Sequence, residues 1–151
     1  IEFSHAWGFD SAIIGNIYPV VSSQPQQMRA WRNNWKRVPG QSEDDDPPNW
    51  NRFYQNGKGI SKAVTADMTF VAAWGAGADR EDVNRFIGWA RPWIDDEEFG
   101  RMQIDVDWHC LGRTADGSPI HPLARGKNRI PNDAKLKLWK RAQSLKTEDY
   151  H

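Results

Sequence analysis

Three short, β-prone apolar runs separated by helical patterns constrain the fold of this chain more than any other feature. The runs are "SAIIGNIYPVV", "DMTFVAAWG" and "MQIDVDWHCLG". A helical spacing of Met28, Trp31 and Trp35, and a second helix over residues 49–66, separate the first run from the second. The amphipathic pattern "DREDVNRFIGWARPWI" separates the second run from the third. Strands that alternate with helices predict an α/β fold with a mainly parallel sheet.

Prolines and helix-capping residues predict where several elements end. Pro19 is expected to end the first strand near Tyr18, and Pro92 is expected to end or kink the amphipathic helix. Asn132 and Asp133 form a helix-start signal before "AKLKLWKRAQSL", which predicts a C-terminal helix that ends near residue 145.

The composition indicates a single soluble domain. The chain has 151 residues, of which 38% are hydrophobic and 26% are charged, enough to bury a core. No apolar run approaches the roughly 18 residues of a membrane span, and no signal peptide is recognisable. The single cysteine, Cys110, excludes an internal disulfide framework and a cysteine-only zinc site. We therefore expect a cytoplasmic protein, from a bacterium or from a phage inside one.

Charge is balanced overall but unevenly distributed. Twenty basic and twenty acidic residues cancel, so the whole molecule has no strong attraction to nucleic acid. Residues 38–49 are predicted to form an acidic loop. From Pro122 to the C-terminus, in contrast, the sequence has eight basic residues and only three acidic ones. Solvated surface is the simplest explanation of each cluster, but the basic loop and helix predicted over 125–151 also permit phosphate contacts.

Asn16, in "IGNIYP", is one candidate binding residue, because a buried amide within a β-prone run needs hydrogen-bond partners. Its side chain could bond to an adjacent loop. Alternatively, it could lie at the carboxyl edge of the sheet and recognise the planar edge of a ligand.

His121, in "GRTADGSPIHPL", is a candidate catalytic residue. Asp116 and Gly117 predict a tight turn, and Pro119 and Pro122 flank the histidine. Such a frame lowers the entropy lost when the imidazole is held in one orientation, as a catalytic donor requires. A rigid turn that contains an incidental histidine is the alternative.

A third candidate site is the polar face of the last β-prone run. Ile104, Val106, Trp108 and Cys110 alternate with three polar side chains, which are Asp105, Asp107 and His109. Two carboxylates and an imidazole at alternate strand positions could bind the divalent metal of a nuclease. The same face could also simply meet solvent or pair with nearby arginines.

Taken in order, three motifs resemble those of domain-of-unknown-function family 1643, a group of bacterial and phage proteins. The motifs are "WGFDSAIIGNIYPVVSSQPQQMRAW", "FVAAWGAGAD" and "CLGRTADGSPIHPL", and together they cover about residues 3–124. The last is the most specific, since it follows the pattern L-G-x-T-x-x-G-x-P-x-H-P-L. The same order is more distantly similar to the uracil-DNA glycosylase superfamily.

This resemblance implies a three-layer α/β/α sandwich around a short, mainly parallel sheet. It also implies that Asn16 recognises the base, together with Trp74 and Gly75, and that His121 stabilises the departing base. Leu123 would be an apolar wedge inserted into the duplex, and three basic residues would contact phosphates: Arg125, Lys127 and Arg129. No cofactor is implied.

The chain also departs from these families. Both carry an earlier Asn-Pro motif that has no counterpart here, Ala124 replaces the family's tyrosine, and Leu123 replaces the glycosylase serine. One expectation is that a partner polypeptide supplies the missing motif; loss of that segment or of the chemistry are the others. We thus expect one glycosylase-like domain over residues 1–151, lacking the family's N-terminal segment.

Three functional hypotheses follow. The first is a base-directed N-glycosidase that acts on DNA or on another substrate containing a nucleobase, in DNA repair or modification, with no membrane partner. The second is a non-catalytic module on the same fold that binds DNA or a protein. The third is a metal-dependent nuclease that uses Asp105, Asp107 and His109.

Overall fold

The computed structural model describes residues 2–18, 26–27, 30–31, 50–75, 77–131 and 133–143. Within these residues, three α-helices, five strands and one short 3-10 helix have defined bounds, and residues 26–27 and 30–31 are also helical. No helix in this part of the chain is long and apolar enough to cross a membrane. The elements are α1 (Glu2–Ala6), α2 (Trp50–Ala63), β1 (Phe70–Ala72), α3 (Arg80–Trp89), β2 (Trp93–Asp96), β3 (Gly100–Gln103), β4 (Trp108–Cys110), the 3-10 helix (Gly126–Asn128) and β5 (Lys137–Lys140).

A three-stranded sheet of order β1-β4-β5 lies at the centre of the described residues. β1 and β4 are parallel, with Phe70 opposite Trp108 and Ala72 opposite Cys110, and all four side chains are buried. β5 runs antiparallel to β4, and β2 and β3 form a separate antiparallel hairpin. The chain is therefore an α/β protein, but the described strands are not mainly parallel, contrary to the sequence-based prediction.

The predicted helices α2 and α3 are confirmed. The Asp79 side chain caps α3 by accepting a hydrogen bond of 3.0 Å from the Glu81 N–H, and the helix ends before Pro92. α3 contributes Phe86 and Ile87 to the core that covers one face of the sheet. Gly57 of α2 lies against the indole of Trp89 at the end of α3, so the two helices approach closely.

The third β-prone run does not form the single strand that its alternation predicts. It is divided between β3 and β4, which belong to different sheets. Two acidic side chains hold the residues between them: Asp105 forms an ion pair of 2.7 Å with Arg91, and Asp107 accepts a hydrogen bond of 2.7 Å from the Ala142 N–H. The alternation in the sequence therefore does not correspond to one continuous strand.

The predicted C-terminal helix is wrong over the residues that the structure describes. Lys137–Lys140 form β5, with Leu138 opposite His109 and Lys137 opposite Cys110. Pairing with the exposed edge of β4 satisfies the backbone and outweighs the helix propensity of lysine and leucine. Residues 144–151 lie outside the described part of the chain.

The predicted first strand is also wrong, since residues 11–16 form no regular secondary structure. Ile14 is 79% exposed, whereas Ile17 and Tyr18 are buried in the core. Here a side chain, and not a neighbouring strand, bonds to the backbone: the Asn56 amide donates a hydrogen bond of 2.8 Å to the Asn16 carbonyl. Of the helix predicted from the spacing of Met28, Trp31 and Trp35, residues 26–27 and 30–31 are described and are helical; the acidic loop over 38–49 lies wholly outside the described residues.

A buried polar contact anchors this first segment to α3. The Tyr18 hydroxyl donates a hydrogen bond of 2.7 Å to the Asp82 carboxylate and accepts one of 3.3 Å from the Asp79 N–H. Asp82 is fully buried. A hydrogen bond to a buried carboxylate is among the stronger ones in proteins, so it fixes where residues 17–18 meet the helix.

We predict opposite effects for two glycine substitutions in α2. In Gly57→Ala the new Cβ would overlap the Trp89 ring, so the free energy of unfolding is expected to fall by about 1–3 kcal/mol. In Gly59→Ala the Cβ meets open space, and removing a flexible helical glycine is expected to add about 0.5–1 kcal/mol. Urea unfolding followed by tryptophan fluorescence measures both. A shift in the same direction for the two variants would contradict this packing.

Tyr18→Phe removes the hydroxyl that bonds to Asp82 and keeps the ring. We expect the free energy of unfolding to fall by about 1.5–3 kcal/mol, because a buried carboxylate loses a donor. The matched control is Tyr54→Phe, since Tyr54 is 41% exposed and water can replace its hydroxyl contacts. Equal urea midpoints for both variants would show that the Tyr18 hydroxyl contributes nothing.

Candidate functional site

The carboxyl ends of β1 and β4 bring two of the sequence motifs together. Because the strands are parallel neighbours, the segments that follow them leave the sheet at the same edge. Gly75, three residues after β1, has a φ of +77°, and a Cβ built on it would lie 3.5 Å from the His121 Cβ. The structure thus places Trp74-Gly75 directly beside His121.

His121 is exposed, and a local turn sets its orientation. Its Nδ1 accepts a hydrogen bond of 3.1 Å from the Leu123 N–H, and its carbonyl accepts one of 2.9 Å from the Ala124 N–H. Since Nδ1 is the acceptor, the hydrogen of the neutral imidazole lies on Nε2. His121 therefore offers an N–H donor directed away from its own turn.

Leu123, two residues after His121, projects from this turn. Its side chain is 80% exposed, more than any other large apolar side chain among the described residues. Three basic side chains follow it along the 3-10 helix, and all are exposed: Arg125, Lys127 and Arg129. An apolar tip next to cations is an arrangement that can meet a stacked, negatively charged polymer.

A compact loop between β4 and His121 holds the histidine turn in place. The Thr114 N–H donates to the Ser118 carbonyl at 2.9 Å, and the Ile120 N–H donates to the Gly112 carbonyl at 2.9 Å. The Asp116 carboxylate accepts hydrogen bonds from the Thr114 and Ser118 hydroxyls. The Thr114 bond first, and then the Ser118 bond, lower the pKa of Asp116 below its usual value, because both favour the charged carboxylate.

Trp74, the residue before Gly75, belongs to an aromatic cluster at this edge of the sheet. Its ring centroid lies 5.9 Å from that of Trp108, 6.2 Å from that of Phe86 and 5.2 Å from that of Trp139. The contacts with Phe86 and Trp139 are edge-to-face, the geometry that aromatic pairs favour. The segment that carries Gly75 is therefore fixed to the core.

The structure links Asn16 to the His121 motif less directly than the sequence predicts. Its side chain is exposed, and it does not end a strand. Its neighbour Gly15 lies against Phe86, which in turn contacts Trp74. No hydrogen bond within the described residues joins Asn16 to His121, so the core links the two motifs only indirectly.

Asp105 and Asp107 are held by different partners, and the structure does not group them with His109. Asp105 pairs with Arg91, Asp107 accepts from the Ala142 N–H, and His109 lies in the middle strand of the sheet. Across the described ranges, no three histidine, cysteine, aspartate or glutamate residues are grouped so that they could hold a metal ion. The structure therefore gives the predicted metal-ligand set no support.

Sequence reasoning missed two residues that border the site. The Trp139 Nε1–H donates a hydrogen bond of 3.1 Å to the Gly117 carbonyl, and the Arg113 guanidinium donates to the Leu138 and Trp139 carbonyls at 2.8 and 3.1 Å. The period-2 pattern of "KLKLWK" could have indicated a strand here, but it was interpreted as a helix.

The family model for "Protein of unknown function (DUF1643)" matches residues 1–123. The chain belongs to the DUF1643 family. No curated protein and no solved structure matches it. The DUF1643 match includes Asn16, Trp74, Gly75, His121 and Leu123, whereas the basic residues after Leu123 and all of β5 lie beyond it.

For this DUF1643 protein we predict that Thr114→Ala raises the pKa of Asp116. The variant removes the hydrogen bond that contributes most to the lowering of this pKa. A folded-state pKa below the unfolded value stabilises the loop above the unfolded pKa, and this contribution is lost as the pH falls through the folded pKa. An NMR titration of the Asp116 carboxyl carbon measures the change. Asp95 is an exposed carboxylate for comparison, and an unchanged Asp116 midpoint would contradict the assignment.

Proposed function

We propose that this protein is a base-directed N-glycosidase, acting on DNA in bacterial or phage repair or modification. It would do so on a layered α/β/α fold related to that of uracil-DNA glycosylases. One observation carries the proposal: at the shared end of two parallel strands, His121 lies against Gly75 with its Nε2–H available as a donor. The order of the DUF1643 motifs along the chain supports it.

The chemistry needs a donor at this position. When the bond between C1′ and the base nitrogen breaks, its electron pair stays on the base, and water adds to the sugar. A preorganised N–H directed at a base oxygen stabilises the negative charge as it develops. The turn that fixes Nδ1 as an acceptor leaves Nε2 as that donor. The family's Asn-Pro motif would supply the group that activates water.

The surroundings of His121 suit a base removed from the stack. Gly75 has no side chain to fill the space beside His121, and the ring contacts of Trp74 hold the Gly75 segment on the core. Leu123 would occupy the gap that the base leaves in the duplex, a role that requires an exposed apolar side chain. Arg125, Lys127 and Arg129 would contact phosphates, and Asn16 would recognise the base edge.

A second candidate is a DNA-binding module without catalysis. The exposed Leu123 and the three exposed cations favour it, because neither feature requires a reaction. The two candidates differ in whether the His121 imidazole is needed.

We predict that His121→Ala lowers base release at least about 100-fold, the usual effect of losing one donor to a developing anion. The assay measures free base from duplexes that carry uracil or a modified base, with EDTA present. His5→Ala is the matched control, since His5 is an exposed histidine far along the chain from the site. Leu123→Ala is expected to reduce release from duplexes more than release from single strands.

Other outcomes separate the alternatives. Duplex binding that survives His121→Ala, with no base released by either protein, would favour the non-catalytic module. Strand cleavage that EDTA abolishes would contradict both candidates.

A further inference from the structure

Strand β5 contacts both segments that form the candidate site, the Trp74-Gly75 segment and the loop before His121. It lies outside the residues that the family model matches. We propose that Trp139 of β5 is a positioning residue that holds the Trp74-Gly75 segment and the loop before His121 in register. The inference rests on the proposed function only for its catalytic consequence, because the geometry itself can be measured without substrate.

The first contact is with the segment that follows β1. The Trp139 and Trp74 ring centroids are 5.2 Å apart with an interplanar angle of 81°. Trp74 is the residue directly before Gly75. The position of the Trp139 ring thus limits how far the Gly75 backbone can move relative to the sheet.

The second contact is with the loop after β4. The Trp139 Nε1–H donates to the Gly117 carbonyl at the tip of this loop, where Gly117 has a φ of +81°. At the base of the loop, Arg113 donates to the carbonyls of Leu138 and Trp139. The loop is therefore attached to β5 at its tip and at its base.

Short-range hydrogen bonds carry this constraint to the histidine. The Thr114 N–H donates to the Ser118 carbonyl, and the Ile120 N–H donates to the Gly112 carbonyl. Pro119 between them is buried. Displacement of Gly117 would consequently move His121 relative to Gly75, where a built Cβ would lie 3.5 Å from the His121 Cβ.

A purely structural tryptophan would behave differently. Its replacement would lower stability throughout the sheet and leave the environment of the His121 ring unchanged until the protein unfolds. A positioning tryptophan would change that environment in the folded protein. The signals of the His121 imidazole and of the Leu123 amide, which bonds to its Nδ1, distinguish the two roles.

The test compares Trp139→Phe, which keeps an aromatic ring but loses the N–H donor, with Leu138→Ala on the same strand. Leu138 is 37% exposed, and its backbone bond to Arg113 survives the substitution. We expect NMR spectra of folded Trp139→Phe to show shifted His121 ring signals and about tenfold faster exchange of the Leu123 amide. Leu138→Ala is expected to match the wild type in both measurements.

The catalytic consequence is a separate measurement. We expect kcat for base release to fall about tenfold or more in Trp139→Phe, with little change in KM, because misplacing a catalytic donor affects the chemical step most. Should Trp139→Phe fail to fold, Arg113→Ala removes the attachment at the base of the loop, and its exposed side chain leaves the core intact.

The outcomes separate this inference from the proposed function. His121 signals that coincide with the wild type in the folded variant overturn the positioning role, whether or not the wild type releases base. Shifted His121 signals together with a wild type that releases no base uphold the positioning role and contradict the glycosidase.

Discussion

The parallel pairing of β1 with β4 is the constraint on which the candidate site depends. It directs both following segments to one edge of the sheet, so Gly75 and His121 meet although 46 positions separate them in the chain. The buried pairs Phe70–Trp108 and Ala72–Cys110 set this register. A slip of one residue would exchange the buried face of the sheet with the half-buried one, which the surrounding core opposes.

The aromatic cluster around Trp74 holds this edge of the sheet in place. Trp74 meets rings from α3, β4 and β5, so three elements determine where the segment before Gly75 lies. Asp116 and its hydroxyl partners, together with Arg113, shape the loop before His121. The exposed histidine is thereby oriented by groups that are themselves held by packing or hydrogen bonds, as a preorganised donor requires.

Local patterns predicted some elements well and others poorly. α3 was predictable because its Asp79 cap, Pro92 and a 3.6-residue period agree within a continuous segment, and α2 because its sequence is continuously helical in pattern. The segment around Asn16 and the residues of β5 were not, since their conformations depend on partners distant in sequence: Asn56 for the first, and β4 with Arg113 for the second. The division of "MQIDVDWHC" between two sheets likewise depends on Arg91 and Ala142, which no local pattern reveals.

The sequence by itself determined the α/β class, the family, and the motifs that place a glycine and a histidine at strand ends. It also determined the rigid turn around His121, because prolines and a turn glycine act on their immediate neighbours. Only the tertiary structure decided that the last described strand is antiparallel and that Trp139 joins the two site loops. Those features arise from contacts between distant residues, whose free energy exceeds the small differences in local propensity.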